Sequence, residues 1–129
     1  MKIDHIALWT TDLEATKLFY EKYFQATAGE KYHNPTKGFT SYFLSFDGSS
    51  RLEIMYRADI SELRQTLGAE IMGFTHLAIS VGSKDKVDSM TELLRKDGFK
   101  VVGEARKTGD GYYESVVLDI EGNRLEITV

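Results

Sequence analysis

Two histidines and two glutamates carry the chemistry this sequence offers: His5, Glu53, His76 and Glu126. They occur as two pairs in matched settings. Ile3-Asp4-His5-Ile6-Ala7-Leu8 parallels Phe74-Thr75-His76-Leu77-Ala78-Ile79 at an offset of 71 residues, and Arg51-Leu52-Glu53-Ile54 parallels Arg124-Leu125-Glu126-Ile127 at an offset of 73. Order and spacing agree to within two residues, so the chain reads as a tandem duplication. Taken singly, a strand histidine is usually structural and a Leu-Glu-Ile is usually a half-exposed strand with a solvated carboxylate. Their repetition points instead to one divalent metal ion shared by the four side chains. Imidazole and carboxylate donors suit Zn, Ni, Co, Mn or Fe(II), and four protein donors leave positions on an octahedral ion for water or substrate.

Strands must present these donors. Side chains alternate between the faces of a strand. On the first strand Ile6 and Leu8 oppose His5, Ala7 and Trp9, and around residues 51–56 Leu52, Ile54 and Tyr56 oppose Arg51, Glu53 and Met55. The second half repeats the pattern, with Leu77 and Ile79 opposing His76 and Ala78, and Leu125, Ile127 and Val129 opposing Arg124, Glu126 and Thr128. The apolar stripes are expected to pack on helices. A carboxylate set among them needs solvent or a cation, because burying it unpaired is costly.

The helices follow from 3.6-residue spacing. Leu13, Thr16, Tyr20, Tyr23 and Phe24 predict a helix over about residues 12–24, with Thr11 and Glu14 as a capping box. Val87, Met90 and Leu94 predict a second over about 84–97, capped by Ser83 and stopped by Gly98. Strand-like runs span about 40–46, 51–56, 100–104, 113–119 and 124–129, with a weaker one near 27–32; each half reads β-α-β-β-β. Module one covers about residues 1–57 and module two about 73–129, joined by a linker over about 58–72 that contains a short helix, 59–67, capped by Asp59. Asp47-Gly48 and Glu121-Gly122-Asn123 supply hairpin turns.

Composition excludes several classes of function. Sixteen basic against twenty acidic residues, with no basic cluster, argue against a nucleic-acid partner. The absence of cysteine removes disulfides, thiolate metal sites and cysteine nucleophiles. No apolar run approaches the roughly 20 residues of a membrane span, and Met1-Lys2-Ile3-Asp4-His5 has no signal-peptide character, so a cytoplasmic protein is expected. His33 is read as a solvated loop residue. Tyr20 and Tyr23 are read as core, and Thr108-Gly109-Asp110-Gly111-Tyr112 as a hairpin turn or a lid over the ligand.

At His5, His76, the segment Phe19-Tyr20-Glu21-Lys22-Tyr23-Phe24 and the ending Asp119-Ile120-Glu121-Gly122-Asn123-Arg124-Leu125-Glu126-Ile127, the chain resembles the vicinal oxygen chelate superfamily. That group includes glyoxalase I, methylmalonyl-CoA epimerase, extradiol dioxygenases, and the fosfomycin- and bleomycin-resistance proteins. The resemblance implies an α+β fold of two tandem βαβββ modules whose curved mixed sheets form a cleft around a metal held by His5, Glu53, His76 and Glu126. This donor set looks most like glyoxalase I. The resemblance then implies a lyase or isomerase that acts on a small α-hydroxy-carbonyl or thiol adduct through a metal-stabilised enediolate, with Glu126 as general base. Bacterial glyoxalase I meets glutathione with an arginine and an asparagine at the positions held here by Trp9 and Arg57, so glutathione itself does not carry over. Trp9, Arg51, Met55, Arg57 and Tyr112 are the candidate substrate-binding residues, and a homodimer is implied. The alternatives are an epimerase on the same scaffold and a binding module that sequesters a small molecule.

Overall fold

The helical spacing of Leu13, Thr16, Tyr20 and Phe24 produces α1 (Leu13–Phe24) in the computed structural model, which describes residues 3–48, 50–60, 73–109 and 111–129. Leu13, Thr16, Tyr20 and Phe24 are all buried, while Tyr23 is only partly covered. The cap lies one residue later than the capping box predicts. The Asp12 carboxylate, on extended backbone, accepts from the Ala15 amide at 2.9 Å. Glu14 does not reach back to the cap because Lys31 and Tyr42 hold its carboxylate at 2.7 and 2.9 Å.

The chain divides into two units, Met1–Leu63 and Arg64–Val129. In the first, α1 packs on β4 (Phe39–Ser45) and β5 (Arg51–Arg57). The sheet runs β1 (His5–Trp9), β5, β4, β2 (Thr27–Ala28), with β3 (Tyr32–Asn34) also on β4. Only β1 and β5 are parallel. The strand expected over 27–32 is thus two short pieces along one partner. His33 belongs to β3 rather than to a loop, opposite Thr40, whose hydroxyl lies 2.9 Å from its Nδ1. The linker helix expected over residues 59–67 falls, from residue 61 onward, outside the described residues.

The second unit follows the same plan. β6 (Leu77–Ser80) precedes α2 (Lys84–Lys96), followed by β7 (Val101–Lys107), β8 (Tyr113–Leu118) and β9 (Arg124–Thr128). The order is β6-β9-β8-β7, with β6 and β9 parallel. Ser83 caps α2 by accepting from the Lys86 amide, as its position predicts. Thr91 joins the inner stripe of Val87 and Leu94, and its hydroxyl bonds to the Val87 carbonyl and to Ser115, both at 2.6 Å. Burying a hydroxyl is tolerated when it is fully hydrogen-bonded. Gly98, in the left-handed region at φ 93°, closes the helix as predicted.

Each core lies between helix and sheet. Leu52 and Ile54 in the first unit, and Leu125 and Ile127 in the second, are at most 2% exposed. Each such side chain contributes about 1.5–3 kcal/mol by leaving water. The expected inner stripe of β1 does not follow suit: Ile6 is exposed and Leu8 is only half-covered. As the edge strand, β1 hydrogen-bonds to β5 alone, and α1 packs over the strands further in. The chain is α+β, with one helix laid on a mixed sheet in each unit; the order is βαβββ in both once β2 and β3 are counted as one interrupted strand.

Candidate metal centre

In both units the parallel pairing of the first and last strands brings a histidine to a glutamate. In the first, β1 beside β5 sets Ala7 against Glu53, and the His5 imidazole reaches over so that Nε2 lies 3.9 Å from Glu53 Oε2. In the second, Ala78 stands against Glu126, and His76 Nε2 lies 3.5 Å from Glu126 Oε2. The small alanine leaves room beside each carboxylate. The glutamate side chains are 15% and 17% exposed and the histidines 39% and 40%, so each pair has a covered acid and an accessible imidazole. The four predicted donors are thus gathered two by two. Among the described residues no group of three or more histidine or acidic side chains able to hold a metal ion occurs.

The proton on His5 can be placed. Its Nδ1 lies 2.9 Å from Asp4 Oδ1, and an ionised carboxylate only accepts, so Nδ1 donates. In the neutral ring Nε2 then carries a lone pair, facing the Glu53 carboxylate. Two acceptors facing each other are suited to a cation between them. Donor atoms on one ion at about 2.0–2.2 Å lie roughly 3 to 3.5 Å apart, so small side-chain rotations suffice. Within each unit, the imidazole and carboxylate are of the donor chemistry a divalent ion takes. Asp4 is held below the ordinary carboxylate range first by the hydrogen bond from His5, then by Arg51.

Around these pairs the faces differ in furnishing. Opposite strand partners share a face, so Glu53 stands beside Phe43, Met55 beside Ser41, and Arg57 beside Phe39. The Phe43 ring meets the His5 ring edge-on at 5.2 Å and carries the Arg51 guanidinium at 4.4 Å. Further along the face, Trp9 and Phe39 are T-shaped at 6.1 Å, Tyr32 packs on Phe39, and the Arg57 guanidinium lies 5.4 Å over Trp9 while paired with Asp59. Trp9, Arg51, Met55 and Arg57 therefore share the face of His5 and Glu53. Phe39, Phe43 and Tyr32 were missed by sequence reasoning; the alternation Phe39-Ser41-Phe43 was visible, but which strand it faces depends on the β4–β5 register.

In the second unit Glu126 stands opposite Val116. Gly103 lets β7 approach there, since a Cβ at that position would meet Val116 at 3.2 Å. Tyr112 lies elsewhere on the unit. It sits four residues before Val116, about 13 Å along the strand at roughly 3.3 Å per residue, in an open pocket with Lys84, Tyr113 and Val129. The turn at 108–112 is closed by hydrogen bonds from the Thr108 amide to the Tyr112 carbonyl and from the Gly111 amide to the Thr108 carbonyl, at 2.8 and 3.1 Å.

Among the described residues no helix is long and apolar enough to cross a membrane. The protein YqjT of Bacillus subtilis (strain 168) is 27% identical over 126 residues, which span 95% of this chain and 94% of that protein. The solved structure of a glyoxalase family protein from Enterococcus faecalis is 25% identical, with a TM-score of 0.78 over 99% of this chain and 97% of that one. Glyoxalase I from Zea mays superposes with the same TM-score of 0.78 at 22% identity, covering 98% of this chain but 44% of its own, and that likeness is one of fold. A family model described as Glyoxalase/Bleomycin resistance protein/Dioxygenase superfamily matches residues 2–127, and the chain belongs to that superfamily.

Proposed function

We propose that the protein is a metal-dependent lyase or isomerase of the glyoxalase I kind, acting on a small α-hydroxy-carbonyl or thiol adduct. His5, Glu53, His76 and Glu126 would hold one divalent ion, zinc or nickel first. The observation that carries this reading is the repeated pairing of an accessible imidazole with a covered carboxylate on equivalent strands of both units, at 3.9 and 3.5 Å. One such pair is commonplace, whereas the same pair at both duplicated positions needs a shared cause. When bound, the ion would supply Lewis acidity toward adjacent substrate oxygens.

Glu126 is the proposed base. Its carboxylate would take the proton from the carbon next to a carbonyl, leave the electron pair to spread onto the carbonyl oxygen, and return the proton to the neighbouring carbon. Trp9, Met55, Arg51 and Arg57 are the proposed substrate contacts, with the guanidinium of Arg57 suited to an anionic group, whereas Tyr112, lining a separate open pocket, is left out of that set. The proposed assembly is a homodimer. A second reading, a binding module for a small aromatic or anionic molecule, is favoured by the Trp9, Phe39 and Arg57 cluster alone.

Metal titration separates the two. Protein purified without added metal and titrated with zinc or nickel is expected to take up about one equivalent, and His5→Ala and His76→Ala are each expected to lower the affinity. Less than about a tenth of an equivalent, with no binding on titration, would overturn the enzyme reading. Assays with methylglyoxal and a series of thiols then define the substrate class.

A further inference from the structure

We infer that Asp4 is a positioning residue that fixes the tautomer and orientation of His5, and that Arg51 in turn holds Asp4. This inference rests on the metal reading above. Asp4 Oδ1 accepts a hydrogen bond from His5 Nδ1–H at 2.9 Å and one from the Arg51 guanidinium at 2.6 Å. The Arg51 amide also donates to the Asp4 carbonyl at 3.0 Å, which locks the two residues across the strand pair. The Phe43 ring bounds the remaining freedom, with the His5 ring edge-on at 87° and the Arg51 guanidinium stacked over it. Nε2 is left as the lone-pair atom, turned toward Glu53. A carboxylate behind a ligating imidazole fixes its tautomer and raises its basicity, and losing such a partner typically costs 10–100-fold in metal affinity.

The second unit provides the control. Thr75 precedes His76 where Asp4 precedes His5, and among the described residues the His76 ring has no carboxylate on its Nδ1 side. Arg51 is therefore assigned to the protein's own histidine first and to a substrate second.

Nitrogen-15 NMR of the metal-free protein at about pH 8, where an ordinary imidazole is neutral, reads the tautomer directly. Wild-type His5 is expected to carry its proton on Nδ1. Asp4→Ala is expected to shift His5 toward the Nε2–H form common in free imidazoles while the remaining spectrum stays folded. In zinc titrations Asp4→Ala is expected to lose about 10–100-fold in affinity. Asp4→Asn keeps an acceptor oxygen and is expected to recover most of that loss, and Thr75→Ala is expected to stay within about twofold of wild type. An unchanged His5 tautomer in Asp4→Ala, or wild-type zinc affinity in that variant, would overturn the inference. If wild-type protein binds no zinc, the metal reading fails by itself, and the tautomer measurement still decides the role of Asp4.

Discussion

The two units place the same histidine–glutamate pair through the same strand arrangement, yet they surround that pair differently. In each, a parallel pair of strands places an alanine beside the glutamate, Ala7 at Glu53 and Ala78 at Glu126. A strand tyrosine donates to a helix carboxylate in each, Tyr42 to Glu14 and Tyr113 to Asp88, under a lysine ammonium that lies over its ring. What differs lies directly around the site. His5 is tied to Asp4 and bounded by Phe43, whereas His76 follows Thr75; Glu53 faces an aromatic ring, whereas Glu126 faces the buried Val116. The repeat keeps the histidine–glutamate pair and the frame and lets the surroundings diverge. On the function proposed above, a division of labour would follow, with the first unit holding its histidine beside aromatic side chains and the second supplying the proposed base.

That division is most sharply tested by the two glutamates. At saturating metal, Glu126→Gln is expected to lower kcat by about 10²–10⁴-fold, the usual worth of a positioned general base. Glu53→Gln is expected to weaken metal binding while lowering kcat at saturation by less than about tenfold. Turnover of the methylglyoxal–thiol adduct, or exchange of its carbon-bound proton with deuterated water, gives both numbers. Equal losses of kcat at saturation would show that the units do not divide the work.

The two histidine–glutamate pairs were legible in the sequence, because alternation and duplication are both local patterns. Leu52 and Ile54 flanking Glu53, and Leu125 and Ile127 flanking Glu126, fixed which way each carboxylate turns, and burial agrees in all four. The same reasoning failed on β1, where Ile6 and Leu8 have the right period but the strand lies at a sheet edge. Period tells which residues share a face; strand order tells whether anything covers it. The Asp4–Arg51 tie was illegible for a related reason, since residues 47 apart meet only through the β1–β5 register. The cap of α1 moved from Thr11 to Asp12 because two adjacent residues both had capping chemistry and Glu14 was drawn off by Lys31 and Tyr42.

The equivalence of the two frames can be broken in the cores. Ile54 and Ile127 hold matching positions, one residue after each glutamate, and both are fully buried. Ile54→Ala and Ile127→Ala are each expected to cost about 2–5 kcal/mol, transfer and cavity terms combined. Urea unfolding followed by tryptophan fluorescence and circular dichroism measures the cost. A value below about 1 kcal/mol at one position would show that unit's core to be adaptable in a way its twin is not.

The smallest expected effect concerns the paired helix carboxylates. Glu14 is lowered from 4.5 to about 2, first by the hydrogen bond to Lys31, then by Lys17 and Tyr42. Its folded-state pKa is depressed, so its contribution is fully present above about 4.5 and is lost as the pH falls through about 2. The side chain is 48% exposed, so solvent screening reduces that contribution to about 1 kcal/mol or less. Asp88 is lowered as well, by Lys84 first and Tyr113 second, with one lysine partner where Glu14 has two. Comparing urea midpoints at roughly pH 7 and pH 3, Glu14→Gln is expected to flatten the loss of stability on acidification. Asp88→Asn is expected to flatten it less, and both differences should shrink in about 1 M salt as exposed charges are screened. An unaltered pH slope in Glu14→Gln would mean that the tyrosine–carboxylate–lysine arrangement organises the two helices without stabilising either, and an equal flattening by both variants would erase the one difference expected between the frames.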